Sequence, residues 1–347
     1  MKKIIYVLAV LFGCATVSFA QTSYIATLQH EGEFTHYYGA GALKSAYNAA
    51  QTGDTITLSP GTFDQPSSFH KSITLRGAGV ESAEKTYING SQYFYAESSE
   101  IVTTVEGVYF MGGTYIRNNS GTNENGKGTI KFIKCVFSQM YADYGGSAGG
   151  YKGPAVRIYN SKVYSQMLFN GYSNPDFMFY NSYVINPCCS SSNFSETTTT
   201  FVNCVIEWPY GASSAYYLNF YNSIFNWTYG YYSGSSDSSL LPNTATCYNC
   251  LSINKSKLFD RLVSGGNNKT ADSVADVFGE NKYGNTFELT DAAKETYIGT
   301  DGTQIGMQGG NYPYTTTVQY PIITKFNADA QTNKEGMLNV EIEVDGK

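Results

Sequence analysis

An all-β fold wound as a solenoid is what this sequence predicts, and three observations predict it. A short segment recurs seven times through the middle of the chain at spacings near 22 residues. One asparagine position recurs within that segment. Charged residues make up only 14% of the 347, against 31 Tyr, 20 Phe and 35 Gly. That balance suits exposed strands and tight turns and is foreign to disordered chains. The net charge of −6 offers no broad basic face, so nucleic acid is excluded as a partner class.

The elements follow in chain order. Lys2 and Lys3, the apolar stretch Ile4–Val17 and the small-x-small site Ser18-Phe19-Ala20 form an export signal over residues 1–20. Its apolar stretch is too short to span a bilayer, and no later stretch is long enough for a membrane span. Leu11-Phe12-Gly13-Cys14 leaves a lipoprotein signal open as the alternative. Cleavage removes two lysines, leaving 20 positive against 28 negative side chains, a charge of −8. The predicted address is outside the cytoplasm: extracellular, cell surface or periplasmic. Residues 21–54 read as an N-terminal cap, with a helix carrying an apolar stripe at Leu43, Ala46, Tyr47 and Ala50. Such a helix would cover an open sheet edge. Two strands ending in turns follow, Gly53-Asp-Thr-Ile-Thr-Leu-Ser-Pro-Gly-Thr-Phe63 and Ser72-Ile-Thr-Leu-Arg-Gly-Ala-Gly79.

Residues 55–253 carry the coils. Phe177-Met-Phe-Tyr-Asn-Ser-Tyr-Val184 and Leu218-Asn-Phe-Tyr-Asn-Ser-Ile-Phe225 are near-identical copies. With a small residue as marker, the copies fall at Gly107, Cys135, Ser161, Ser182, Cys204, Ser223 and Cys250. Variable spacing with an intact repeat is the mark of a solenoid, because insertions leave at the turns without disturbing the stack. Three residues before the marker the column is Thr104, Phe132, Ile158, Phe179, Phe201, Phe220 and Cys247, and period-two alternation turns it inward. The column before it, with Lys131 and Arg157 on adjacent copies, turns outward. Immediately before the marker stand Asn160, Asn181, Asn203, Asn222 and Asn249, residues that tolerate the left-handed backbone of a sharp corner. Their amides are expected to bond one another along the stack.

The helix, Gly53-Asp54-Thr-Ile-x-Leu-x-Pro60-Gly61-Thr62-Phe63 and Ile73-Thr-Leu-Arg-Gly77-Ala-Gly79 together resemble the opening of right-handed parallel β-helix proteins of the pectate-lyase-like superfamily. The resemblance covers residues 38–253 and implies three parallel sheets wound into a prism. Residues 254–347 are expected to form a C-terminal loop and β cap. Within them lie a short helix around Ala271–Val277, glycine-rich turns over 298–310, and a strand at Leu338–Val344 pairing with Pro321–Lys325. The glycine-rich closing segment is similar to that of surface β-helix proteins of Bacteroidetes.

Function is less legible. Six cysteines remain after cleavage: Cys135, Cys188, Cys189, Cys204, Cys247 and Cys250. Disulfides and a zinc site using Cys188-Cys189 with Cys247-x-x-Cys250 both stay open, but three of the six fit the repeat as a buried column. The resemblance implies cleavage of acidic polysaccharides, by lyases holding Ca²⁺ or by hydrolases with paired carboxylates. The catalytic motifs of those enzymes are missing here. Glu106, Asp176 and Glu207 share no column, and Glu124, Asp143, Glu196 and Asp237 fall in insertions. His30, His36 and His70 all precede the clear repeats. The expectation is therefore binding of polysaccharide or another surface glycan without catalysis and without cofactor or metal. The ligand platform would be Trp208, Tyr210, Tyr216, Tyr217, Trp227, Tyr229, Tyr231 and Tyr232, flat rings that stack on sugar faces. A lyase or glycoside hydrolase with a loop-built site, and an adhesin-like surface protein with a protein partner, are the alternatives.

Overall fold

A computed structural model describes residues 24–81, 83–96, 98–118, 128–144, 151–165, 167–170, 173–188, 198–207, 217–226, 241–280, 283–315, 322–328 and 340–345. The chain forms the expected parallel β-helix. A first sheet runs ten parallel strands from Thr55–Leu58 to Ser264–Gly266, one per coil. A second runs ten from Gly61–Asp64 to Lys269–Ala271. Among the described residues the third side of the prism is short. It consists of Gln92–Tyr95, the far halves of Val108–Asn118 and Val136–Tyr144, then Met167–Asn170 and Pro187–Cys188. Among the described residues the row stops there, because the stretches that would continue it lie outside them.

The interior is a stack of like upon like. Phe132, Ile158, Phe179, Phe201, Phe220 and Cys247 are fully buried in register, and Phe201 stacks on Phe179 and Phe220 at ring separations of 5.0 and 4.9 Å. The first copy is shifted by one residue from the sequence alignment: Ile133 pairs with Glu106, so Lys134 lies above Gly107. Val105 is thus the buried residue there, and Thr104 faces outward.

The corner between the two sheets is a single column of left-handed residues. Gly107, Lys134, Asn160, Asn181, Asn203, Asn222, Asn249 and Asn267 have φ between 48° and 66°. The next residue points inward and ties coil to coil. Ser182 Oγ accepts from Ser161 N at 3.1 Å and donates to Tyr180 O at 2.8 Å, and Ser223 does the same for Cys204. Cys135, Cys204, Cys247 and Cys250 are free and buried. Burial pushes the Cys135 and Cys204 thiols up to about 12, so they stay protonated and inert. Cys189 and the side chain of Cys188 lie outside the described residues.

The corner amides do not form the expected ladder among themselves; three of them face residues 298–310. Asn181 Nδ2 donates to Met307 O at 2.9 Å and Gly309 O at 2.6 Å. Asn222 Oδ1 accepts from Thr300 N at 2.9 Å. Gly310, at φ 71°, lies so close to Asn203 Nδ2 that a Cβ would collide. The physical reason is competition: a backbone strap supplies both donors and acceptors, which satisfies each carboxamide better than a neighbouring amide one coil away.

That strap belongs to a lateral cover. Residues 274–314 lie along the outer face of the second sheet, where Val277, Phe278, Phe287, Leu289, Ala293, Ile305, Met307 and Tyr314 bury Tyr183, Val205, Ile224 and Leu251. Two helices seat it, Val274–Val277 capped by Ser273 and Asp291–Thr296 capped by Thr290. The interior near the last coils is filled instead by Leu258, with Phe259 and Leu262 against it. Ile322–Ala328 and Val340–Asp345 pair antiparallel, in agreement with the alternation of the tail.

At the other end, helix Ala42–Ala49 buries Ala42, Leu43, Ala46 and Tyr47. Lys71 Nζ satisfies its final carbonyls at Tyr47, Asn48 and Ala50. The edge of the first sheet is extended by an antiparallel hairpin, Ile25–His30 with Glu33–Tyr38, which the repeat analysis did not reveal. Glu31 and Gly32, both at positive φ, make the two-residue turn.

Two outcomes follow for stability. Asn222→Ala should cost about 2–4 kcal/mol, from roughly 1–2 for a left-handed alanine plus the lost hydrogen bonds. Asn222→Gly keeps the backbone free to adopt that φ and should cost clearly less in urea unfolding; equal losses would mean the corner conformation is not the source. For Glu81, burial pushes the carboxyl up, but the Tyr314 hydroxyl and Lys162, 3.0 Å away, outweigh it and the pKa lies below the ordinary 4.5. A lowered carboxylate pKa contributes stability above the unfolded value that is lost as pH falls through the folded one. Hydrogen-exchange protection of residues 305–314 should therefore decline below about pH 4.5, and already at pH 7 in Glu81→Gln.

Candidate functional site

With the second sheet covered, the outer face of the first sheet carries no lateral core among the described residues. Beside its corner lies a groove of about 460 Å³ lined by Glu106, Lys131, Ile133, Lys134, Tyr159, Asn160 and Tyr312. Strand alternation sets Lys131, Ile133 and Tyr159 outward, and Lys131 lies in register with Arg157 on the next coil. Lys134 and Asn160 come from the corner column. Tyr312 comes from the strap and stands edge-on to the stacked pair Tyr159–Tyr180, at ring separations of 5.6 and 6.4 Å.

The charges in the groove are unevenly matched. Arg157 is committed to Asp176 through Nη2–Oδ2 at 2.5 Å. Arg76 Nε approaches Glu106 at 3.7 Å. Among the described residues neither Lys131 nor Lys134 has an ion-pair contact. Burial lowers the Lys134 pKa, with Glu106 opposing the shift only in part. Burial raises Glu106, against Arg76 and Lys134. Both shifts run toward neutrality, the response of a site short of compensating charge. Lys134 also holds φ 50°, a conformation unfavourable to lysine that asparagine occupies on the next six coils. Backbone strain of this kind gathers at binding sites. The arrangement suits an anionic group held by two ammonium groups, with phenol rings as walls.

The residues expected to form a ligand platform are not among these. Trp208, Tyr210, Tyr216, Trp227, Tyr229, Tyr231 and Tyr232 lie outside the described residues. Tyr217 opens strand Tyr217–Tyr221, and its side chain also lies outside them. Of the carboxylates weighed for catalysis, Asp176 is on the first sheet and paired. Glu207 is buried on the second beneath the lateral cover, where it accepts from Tyr283 and from Asn226 at 3.4 Å. Glu124, Glu196, Asp237 and the side chain of Asp143 lie outside the described residues. Among the described residues no three metal-ligating side chains gather. The histidines serve the N-terminal cap: His30 pairs with Asp54 at 2.8 Å, His36 with Thr27 and His70 with Ser68.

The repeat marks Asn160 as a corner residue and not as a site residue, and it does not single out Lys134 or Tyr312. One signal was present, the lysine standing where other copies have asparagine. Tyr312 could not be placed, because its contact with Tyr159 spans 153 residues.

Protonating Glu106 removes a negative charge from the groove, and its raised pKa puts that event above 4.5. Dextran sulfate, whose charge does not titrate in this range, should bind more tightly as pH falls toward 5. Glu106→Gln should bind it equally across that range; a pH dependence surviving in the variant would point to another group.

No family model, curated protein or solved structure matches this chain, so the parallel β-helix rests on its own geometry and register.

Proposed function

We propose that this is an exported, surface-exposed β-helix protein that binds an acidic polysaccharide or another anionic surface polymer in the corner groove, without catalysis. The observation that carries this reading is the pair Lys131 and Lys134, facing a groove of about 460 Å³ in which neither makes an ion-pair contact among the described residues. A parallel β-helix is consistent with proteins of this kind. A regular sheet face also supports a polymer, because successive coils repeat the same surface at the strand spacing of about 4.8 Å.

Affinity electrophoresis through gels containing polygalacturonate, alginate or dextran sulfate, with neutral dextran as control, tests the reading. Retardation by the anionic gels is expected, with at least tenfold weaker binding in Lys131→Gln/Lys134→Asn. Asparagine at 134 keeps the corner as neighbouring coils make it. Polymer length should be unchanged after incubation. Shortened products that vanish with a chelator would replace binding by a calcium-dependent lyase, and equal retardation in neutral gels would remove the role of the lysines.

A further inference from the structure

The first sheet ends on a strand that is paired on one side only. Glu33–Tyr38 is hydrogen-bonded to Ile25–His30 and to no other strand among the described residues. Gly39 N donates to Tyr24 O at 2.8 Å, and Ser59 N donates to Ile25 O from the other side of Ile25–His30. Antiparallel bonding alternates, so Glu33, Thr35 and Tyr37 turn their backbone groups toward Ile25–His30. The N–H and C=O groups of Phe34, His36 and Tyr38 therefore point off the edge of the sheet.

Nothing in this strand blunts that edge. It has no proline, lysine or arginine, and its register with Ile25–His30 runs without a bulge. Phe34 and Tyr38 are 61% and 66% exposed. At the far end of the same sheet the last strand, Ser264–Gly266, has three residues, two of them glycine. Shortening of that kind protects a free edge, and Glu33–Tyr38 lacks it.

The strand is complementary to itself. With outward backbone groups at residues 34, 36 and 38, one antiparallel register gives all three a partner. It opposes His36 to its own copy and Phe34 to Tyr38, with two hydrogen bonds per pair. The two exposed rings then lie side by side across the join, a favourable cross-strand pair. His36 Nδ1 shares a hydrogen bond with Thr27 Oγ1 at 3.0 Å, which draws the ring back over Ile25–His30 and off the axis. The hairpin also carries the edge clear of the end coil. Its two strands extend the sheet by about 9.6 Å. That matches the ~10 Å thickness of helix Ala42–Ala49 packed against them, so two capping helices can meet without collision.

We propose that Glu33–Tyr38 is a dimerisation edge, and that its occupant is the same strand of a second copy, antiparallel about a two-fold axis at His36. The dimer does not depend on what the groove binds. Because the axis stands normal to the joined sheet, both copies present Lys131 on one face, about eleven strand spacings or ~50 Å apart.

Sedimentation equilibrium of the full mature protein should give twice the monomer mass at micromolar concentration. His36→Pro deletes an outward N–H and none of the bonds to Ile25–His30. It should leave a monomer with an unchanged far-ultraviolet circular dichroism spectrum. His36→Cys reads the register: mild oxidation with diamide should yield a disulfide-linked dimer absent from the native chain. Phe34→Cys and Tyr38→Cys, each about 13 Å from its own copy in this register, should not cross-link. A monomeric native protein, or a dimer that survives His36→Pro, would overturn the proposal. So would cross-linking through Phe34→Cys or Tyr38→Cys in preference to His36→Cys.

Discussion

The turn from the first sheet to the second depends on one backbone conformation, repeated at eight successive coils. A chain of L-residues changes direction this sharply only by entering the left-handed region, which costs most side chains about 1–2 kcal/mol. Asparagine lowers that cost, which is why it recurs at Asn160, Asn181, Asn203, Asn222, Asn249 and Asn267. Once the corner is set, the following residue must point inward, where room is short, and only Ser, Cys, Val or Asn is found there. The serines then bridge backbone groups of adjacent coils, so the corner also sets the register of both sheets.

The same corner divides the surface into two unlike faces. On one side the outer residues of the second sheet, Tyr183, Val205, Ile224 and Leu251, are too apolar to be left in water, and residues 274–314 bury them. On the other side the first sheet presents Lys131, Arg157, Met178, Thr200 and Asn219 outward, and among the described residues no second core is built upon them. The strap runs along the boundary and uses up the donors and acceptors of Asn181 and Asn222. Its Tyr312 lines the groove beside Asn160, and the ring centre of its Tyr314 lies 5.2 Å from Lys162 Nζ on the same coil. The proposed groove thus lies along the edge of the lateral cover, while the aromatic-rich stretch 208–232 lies largely outside the described residues.

Electrostatics sharpens that boundary. Arg157 is neutralised by Asp176, and Lys162 by Glu81, so neither is available to a ligand. Lys134 is half-buried at a strained position with only Glu106 nearby, and burial depresses its pKa. An anion arriving in the groove would push the Lys134 pKa back up, which couples binding to the protonation of both groups.

The repeat, the inward column of phenylalanines and the corner asparagines were legible in the sequence because each is a local pattern copied coil after coil. Sequence alternation assigns inside and outside, and left-handed backbone selects its residue type, without reference to any distant part of the chain. The one-residue shift at Gly107 was hidden because two glycine-like positions, a true corner and a small inward residue, look alike until the strands are paired. The partners of the corner amides and the site of the groove are another matter. Asn181 meets Met307 and Tyr159 meets Tyr312, contacts across 126 and 153 residues that no periodicity encodes. The sequence by itself determined the coil, its core and its corner, since these follow from short-range sterics and hydrophobic alternation. Only the tertiary structure decided which outer face of the described coils is covered and which corner amides find partners, because that depends on where a non-repeating strap lies along a repeating scaffold.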